Sequence, residues 1–95
     1  MPSRKPRLLA EFRVRYDRGS DVLYVTRRPG RPARSEPGRP GMVWRYDLQS
    51  GELIGVTIID FSTYWRPRER ELLAQLASHF SIARSEAEAV IAEAE

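Results

Sequence analysis

The tripeptide Arg-Tyr-Asp occurs twice, at residues 15–17 and 45–47, and each copy stands at the joint between two runs that read as strands. Before the first copy, Phe12, Val14 and Tyr16 alternate with Arg13 and Arg15, a period of two that sends apolar and basic residues to opposite faces. Asp17, Arg18, Gly19 and Ser20 then make a turn into Val22–Thr26, a run rich in branched and aromatic residues that suits a strand covered on both sides. Around the second copy, Met42, Trp44 and Tyr46 share one face while Val43 and Arg45 take the other. The turn from Asp47 to Gly51 leads into Leu53–Phe61, the most hydrophobic run of the chain and therefore its central strand. Asp at the start of such a turn accepts backbone N–H bonds from residues just ahead. Gly19 and Gly51 are the residues expected to supply positive φ. The repeat thus constrains the chain to two hairpins.

Between the hairpins, residues 27–41 (RRPGRPARSEPGRPG) hold four prolines with glycines among them, a density that predicts a long surface loop without regular structure. After residue 62 the apolar period lengthens. Pro67 suits the first turn of a helix, and Leu72, Leu73, Leu76, Ala77 and Phe80 form its stripe. Ser85 and Glu88 have capping-box spacing ahead of a second short helix marked by Ala87, Val90, Ile91 and Ala94. The expected fold is α+β: a four-stranded antiparallel sheet from two hairpins, with two C-terminal helices packed on it. The 95 residues are expected to form a single domain. It divides into a basic N-terminal arm (1–10), a sheet region (11–62) and a helical region (66–95).

The spacing of several of these residues resembles the domain of unknown function 2283 family. The resemblance is carried by Tyr16-Asp17, Asp21-Val22-Leu23-Tyr24, Ser35-Glu36, Gly41, Tyr46-Asp47, Gly51, Leu53-Ile54-Gly55 and Ile58-Ile59-Asp60. It covers roughly residues 12–62, and the C-terminal helices lie outside it. Two departures stand out: the Arg-Pro-Gly loop is longer than in the family, and Thr57 occupies a position where the family tends to carry an acid. The resemblance implies no established activity. That some members accompany small toxin-like proteins implies a partner-binding, antitoxin-like role.

Catalytic constellations are missing from the sequence. The chain has no cysteine, which excludes disulfides, thiolate zinc sites and a cysteine nucleophile and fits a reducing compartment. One histidine, His79, falls near the end of the first helix, where it suits a capping or surface role. Ser20, Ser50 and Ser62 lie in turn-like contexts, and there is no Gly-x-Ser-x-Gly elbow. Prolines among the glycines of 27–41 deny that loop the N–H groups a phosphate cradle needs. Asp17, Asp21, Asp47 and Asp60 have the oxygen chemistry for a hard cation, but turn formation explains Asp17 and Asp47 and no EF-hand spacing exists. No cofactor or metal is expected. With no apolar run near the ~20 residues a membrane helix needs, and no secretory h-region, the expected location is cytoplasmic.

Charge separates along the chain. Residues 1–45 hold twelve Lys or Arg against four acids, and residues 46–95 hold four Arg against nine acids. Such asymmetry suits an anionic partner or two subunits that attract. Arg27, Arg28, Arg31, Arg34 and Arg39, together with Arg4, Lys5 and Arg7, are the candidates for nucleic-acid contact, with Trp44 and Tyr24 available for stacking. The second helix carries Glu86, Glu88, Glu93 and Glu95 and no base, so it cannot serve as a recognition helix in a phosphate-lined groove. The reading is a non-enzymatic protein-interaction module, expected to act as a homodimer through its open sheet edges. Nucleic-acid binding through the arginine loop is the alternative.

Overall fold

A computed structural model describes residues 11–94. Its sheet has five strands: β1 (Arg13–Asp17), β2 (Val22–Thr26), β3 (Ala33–Pro37), β4 (Met42–Asp47) and β5 (Leu53–Ile59). They are ordered β1-β2-β5-β4-β3, every neighbouring pair antiparallel. A wide π-type turn (Phe61–Trp65) and a tight 3₁₀ turn (Arg66–Arg68) then lead into two helices, α1 (Glu69–Phe80) and α2 (Arg84–Ala92).

The fifth strand corrects the expectation of four, and it lies inside the segment read as structureless loop. Register explains how the prolines are tolerated. The Gly38 N–H donates to the Met42 carbonyl at 2.9 Å and the Leu48 N–H to the Pro32 carbonyl at 3.1 Å. By alternation, the in-plane groups of residues 34 and 36 face β4, while those of 33, 35 and 37 face outward. Pro37 therefore lies where its missing N–H would have pointed off the sheet, the position an edge strand allows. Pro29, Pro32 and Pro40 fall outside the strand.

Period-two alternation divides the sheet into unlike faces. Leu23, Val25, Met42, Trp44, Val56 and Ile58 point to one side and are all buried. Against them pack the stripes Leu72, Leu73, Leu76 and Phe80 of α1 and Ala87, Val90 and Ile91 of α2, with Phe61 and Trp65 of the intervening turn. Each large aliphatic side chain so removed from water contributes about 1.5–3 kcal/mol. No described element covers the other side. There, Arg15, Tyr24, Thr57 and Val43 form one row across the strands, and Arg13, Thr26, Gly55 and Arg45 form the next.

A register shift between Arg45 and Tyr46 breaks the β4–β5 ladder, because Arg45 pairs with Gly55 while Tyr46 pairs with Leu53. The extra residue, Ile54, is buried but lies outside the core cluster. Its carbonyl accepts the Arg27 N–H at 2.7 Å, which ties the start of the arginine segment to the sheet. Such a bulge bends the strand and leaves one residue without a cross-strand partner.

Turn chemistry follows the sequence in part. Gly51 takes φ +76°, but in the first hairpin the left-handed residue is Asp21 at φ +58°, and Gly19 does not adopt positive φ. The cap of α2 also differs from the expected Ser85/Glu88 box. Glu86 Oε1 accepts the Ala83 N–H at 2.7 Å, and Ala83, with no side-chain acceptor, cannot reciprocate. Pro67 lies in the 3₁₀ turn just before α1, where an N–H is not required.

Candidate functional site

Three of the four aspartates hold backbone through their side chains. Asp17 Oδ1 accepts from the Gly19 and Ser20 N–H groups at 3.0 and 3.4 Å. Asp47 Oδ1 accepts from Gln49 and Ser50 at 2.8 and 3.2 Å, while its Oδ2 receives Arg31 Nε at 2.7 Å. Asp21 reaches across the fold. Its carboxylate accepts the Tyr16 hydroxyl at 2.6 Å, the Ser62 N–H at 2.9 Å, and the Thr63 N–H and hydroxyl, both at 3.3 Å. Asp21 thereby caps the turn at residues 61–65 from outside, because the local residue Asp60 is left-handed and makes no side-chain cap. Among the described residues, no group of three or more His, Asp or Glu is placed to hold a metal ion.

These bonds stabilise the charged carboxylates. The Tyr16 hydroxyl first, then the Ser62 N–H, holds Asp21 well below its ordinary value of 3.8. Arg31 lowers Asp47 and the Ser20 hydroxyl lowers Asp17. A depressed folded value contributes stability that is present above the unfolded value and lost as pH falls through the folded one. Stability should therefore drop steeply below about pH 4. The expected result is that Asp21→Asn differs most from the parent at pH 7, and that the gap begins to narrow only below about pH 4 and keeps narrowing as pH falls further toward the low folded value. Thermal melts across that range check this, and a pH-independent difference would refute it.

The five loop arginines do not make one surface. The Arg27 guanidinium lies over the Phe12 and Phe80 rings, 5.2 and 5.5 Å from their centroids. Arg28 pairs with Glu52 at 3.3 Å, Arg31 with the buried Asp47, Arg34 with Glu36 while lying over Tyr46, and Arg39 with Glu71 of α1 at 3.9 Å. Trp44 is buried, with its ring stacked on His79 at 3.8 Å, so it offers no stacking platform. The His79 Nδ1 bonds to the Gln75 carbonyl at 2.9 Å. Arg4, Lys5 and Arg7 lie outside the described residues.

A different set of cations meets on the uncovered face of the sheet. Two adjoining clefts of about 490 and 230 Å³ open there, sharing Thr26 and Pro29 as their common wall. Arg13, Arg15 and Tyr24 line the larger; Arg28, Arg31, Arg45 and Gly55 line the smaller. Among the described residues, no Asp or Glu lines either cleft. Arg28 and Arg31 arrive already paired, whereas Arg13 and Arg45 make no ion pair among the described residues. Arg15 lies over Tyr24 at 4.2 Å from the ring centroid. A third cleft of about 420 Å³ is lined by Glu11, Arg27, Arg28 and Glu52 and carries no net charge. Strand alternation announced that Arg13 and Arg15 leave the core face, but nothing local joined them to Arg45, two strands further across.

Comparison with known proteins adds a family. The family model described as "Protein of unknown function (DUF2283)" matches residues 13–62, from the start of β1 to just past β5. No curated protein and no solved structure matches the chain. Among the described residues, no helix is long and apolar enough to cross a membrane.

Proposed function

Because the chain belongs to the DUF2283 family, whose shared description is a protein of unknown function, no activity comes with membership, and we propose that it is a non-enzymatic protein-interaction module working by strand addition at the β3 edge, with a second copy of itself as first partner. One observation carries this reading: Arg34, Ser35 and Glu36 stand in sequence on an edge strand, unpaired on its outer side among the described residues, whose outward groups belong to residues 33, 35 and 37. Unpaired edges of this kind are templates for another strand.

A twofold axis through Ser35 makes β3 complementary to itself. Arg34 then faces Glu36 of the second copy and Glu36 faces its Arg34, while the Ser35 groups exchange two backbone bonds. Ala33 donates a further bond to the Pro37 carbonyl on each side. Four backbone bonds at about 0.5–1.5 kcal/mol each and two opposite-charge pairs at about 0.2–1 total about 2–8 kcal/mol, which reaches only the low end of the 4–15 kcal/mol that association costs. The dimer is accordingly weak, and it forms at high protein concentration. The other edge is poorer, because an axis at the middle of β1 sets Arg15 against itself. A dimer through β3 leaves both helices free for a further small protein, the antitoxin-like role.

Charge exchange tests the geometry. Arg34→Glu gives an edge with two acids and Glu36→Arg an edge with two bases, so each variant alone should sediment as a monomer. Their equimolar mixture should form a heterodimer at least as tight as the parent. Sedimentation velocity up to about 1 mM decides, the concentration at which an association of only about 4 kcal/mol becomes visible. A monomeric parent, or a mixture that stays monomeric, removes the β3 interface.

A further inference from the structure

The twin clefts on the uncovered sheet face are a binding site that strand addition at the β3 edge leaves unused, since they lie within one protomer and point away from the helices. We propose that they bind single-stranded nucleic acid, with arginines taking the backbone phosphates and the Arg15–Tyr24 pair taking an unpaired base.

Charge comes first. Among the described residues, five arginines and no acid line the two clefts; Arg13 and Arg45 make no ion pair, and Arg15 has only the nearby charge of Asp17. Like charges gathered without counter-charge raise the free energy of the unbound surface, and an anion relieves it. Arginine also supplies the fork that matches two phosphate oxygens.

Shape and arrangement then separate the anionic candidates. Arg13, Arg15 and Arg45 spread across the sheet from β1 to β4 in two adjacent rows, spaced for a chain of phosphates rather than for one. The Arg15 guanidinium lies 4.2 Å above the Tyr24 ring, leaving its outer plane free. A base can stack on that plane or take its place on the ring. Gly55 projects no side chain between Thr26 and Arg45, so the floor stays open along the row. A duplex hides its base faces and would find no helix here to enter its groove. Both helices lie on the opposite side of the sheet, where Glu69, Glu71, Glu86 and Glu88 outnumber Arg70 and Arg84. A second copy of this face would set arginine against arginine. Residues 1–10, with three bases and no acid, have the wrong charge to fill it.

The test is fluorescence anisotropy with labelled oligo-dT and oligo-U of about 12 nucleotides, a length within the usual site sizes, over salt from about 0.05 to 0.5 M. Affinity should fall by roughly 0.7 log units per phosphate contact for each log of salt, for a total slope near −2 with three arginines engaged. Arg13→Gln with Arg45→Gln should reduce that slope to about a third and weaken binding on the order of fiftyfold at 0.05 M salt. Tyr24→Leu should weaken binding about tenfold while leaving the slope unchanged, the separation expected of stacking from charge. Tyr24→Phe should retain affinity. No binding at 0.05 M salt, or a double Arg variant that binds like the parent, would overturn the proposal. Equal affinity for a matched duplex would overturn it as well. Polyglutamate binding as tightly as the oligonucleotides would reassign the clefts to acidic protein segments.

Discussion

Gly38→Ala is expected to lower stability by about 2 kcal/mol, the middle of the range for forcing extra volume into a packed site. A Cβ at Gly38 would overlap the Trp44 indole, meeting Nε1 and coming within 2.7 Å of Cδ1. The indole cannot swing away freely, because His79 is stacked on it at 3.8 Å and Phe80 meets it edge-on at 6.0 Å. Trp44→Phe removes the part of the ring that collides, at its own cost in lost packing. In that background the penalty of Gly38→Ala should largely vanish, giving a coupling of about 1–2 kcal/mol in a double-mutant cycle. Urea unfolding of the four proteins measures it, and additive effects would mean that the loop, not the indole, absorbs the change.

Asp47→Ala should lower the melting temperature by roughly 10 °C, because one carboxylate serves three donors. It closes the β4–β5 turn through the Gln49 and Ser50 N–H groups, and it anchors the 27–32 segment through Arg31. The Asp47 side chain is 1% exposed, whereas that of Arg31 is 44% exposed. Solvent therefore screens the arginine's share, and Arg31→Ala should cost clearly less than Asp47→Ala. Asp47→Asn should fall between, keeping the Oδ1 acceptor and losing the charge. Thermal melts by circular dichroism rank the three. An Arg31→Ala effect as large as that of Asp47→Ala would show that the loop anchor, and not the turn, is the stabilising part.

Period and turn chemistry in the sequence were sufficient for β1, β2, β4 and β5, because alternation and Asp-led turns are local signals. Leu72 to Phe80 marked the first helix for the same reason. Proline density hides β3, because whether a strand tolerates proline depends on which way each N–H faces. Arg34 and Glu36 alternating with Ala33 and Ser35 was the signal present, and only the pairing with β4 gave it meaning. Asp21 was read as one carboxylate among four, yet its partners at 62 and 63 lie about forty residues on, where no spacing rule reaches. The candidate site divided similarly. The sequence placed Arg13 and Arg15 on the face opposite the apolar residues, but it assigned the cationic surface to Arg27, Arg28, Arg31, Arg34 and Arg39, of which only Arg28 and Arg31 line the clefts. Rings or acids occupy the other three. Meeting points between strands depend on sheet order, which is set by non-local pairing.

That sheet order carries a kinetic consequence. β5 is the last strand made and the one that lies in the middle, with β2 on one side and β4 on the other. Until it is available, β1–β2 and β3–β4 can exist only as two separate ribbons, and isolated ribbons are marginal in water. A chain emerging from the ribosome therefore holds more than half its length in two unfinished pieces, their inner edges bare. Its cooperative folding waits for residues 53–59, and then for the helices that seal the apolar side. Assembly from distant segments of this kind is slow for a small protein, since loop closure precedes the contacts that reward it. Truncation within β5 should leave an aggregation-prone nascent chain instead of a smaller folded domain.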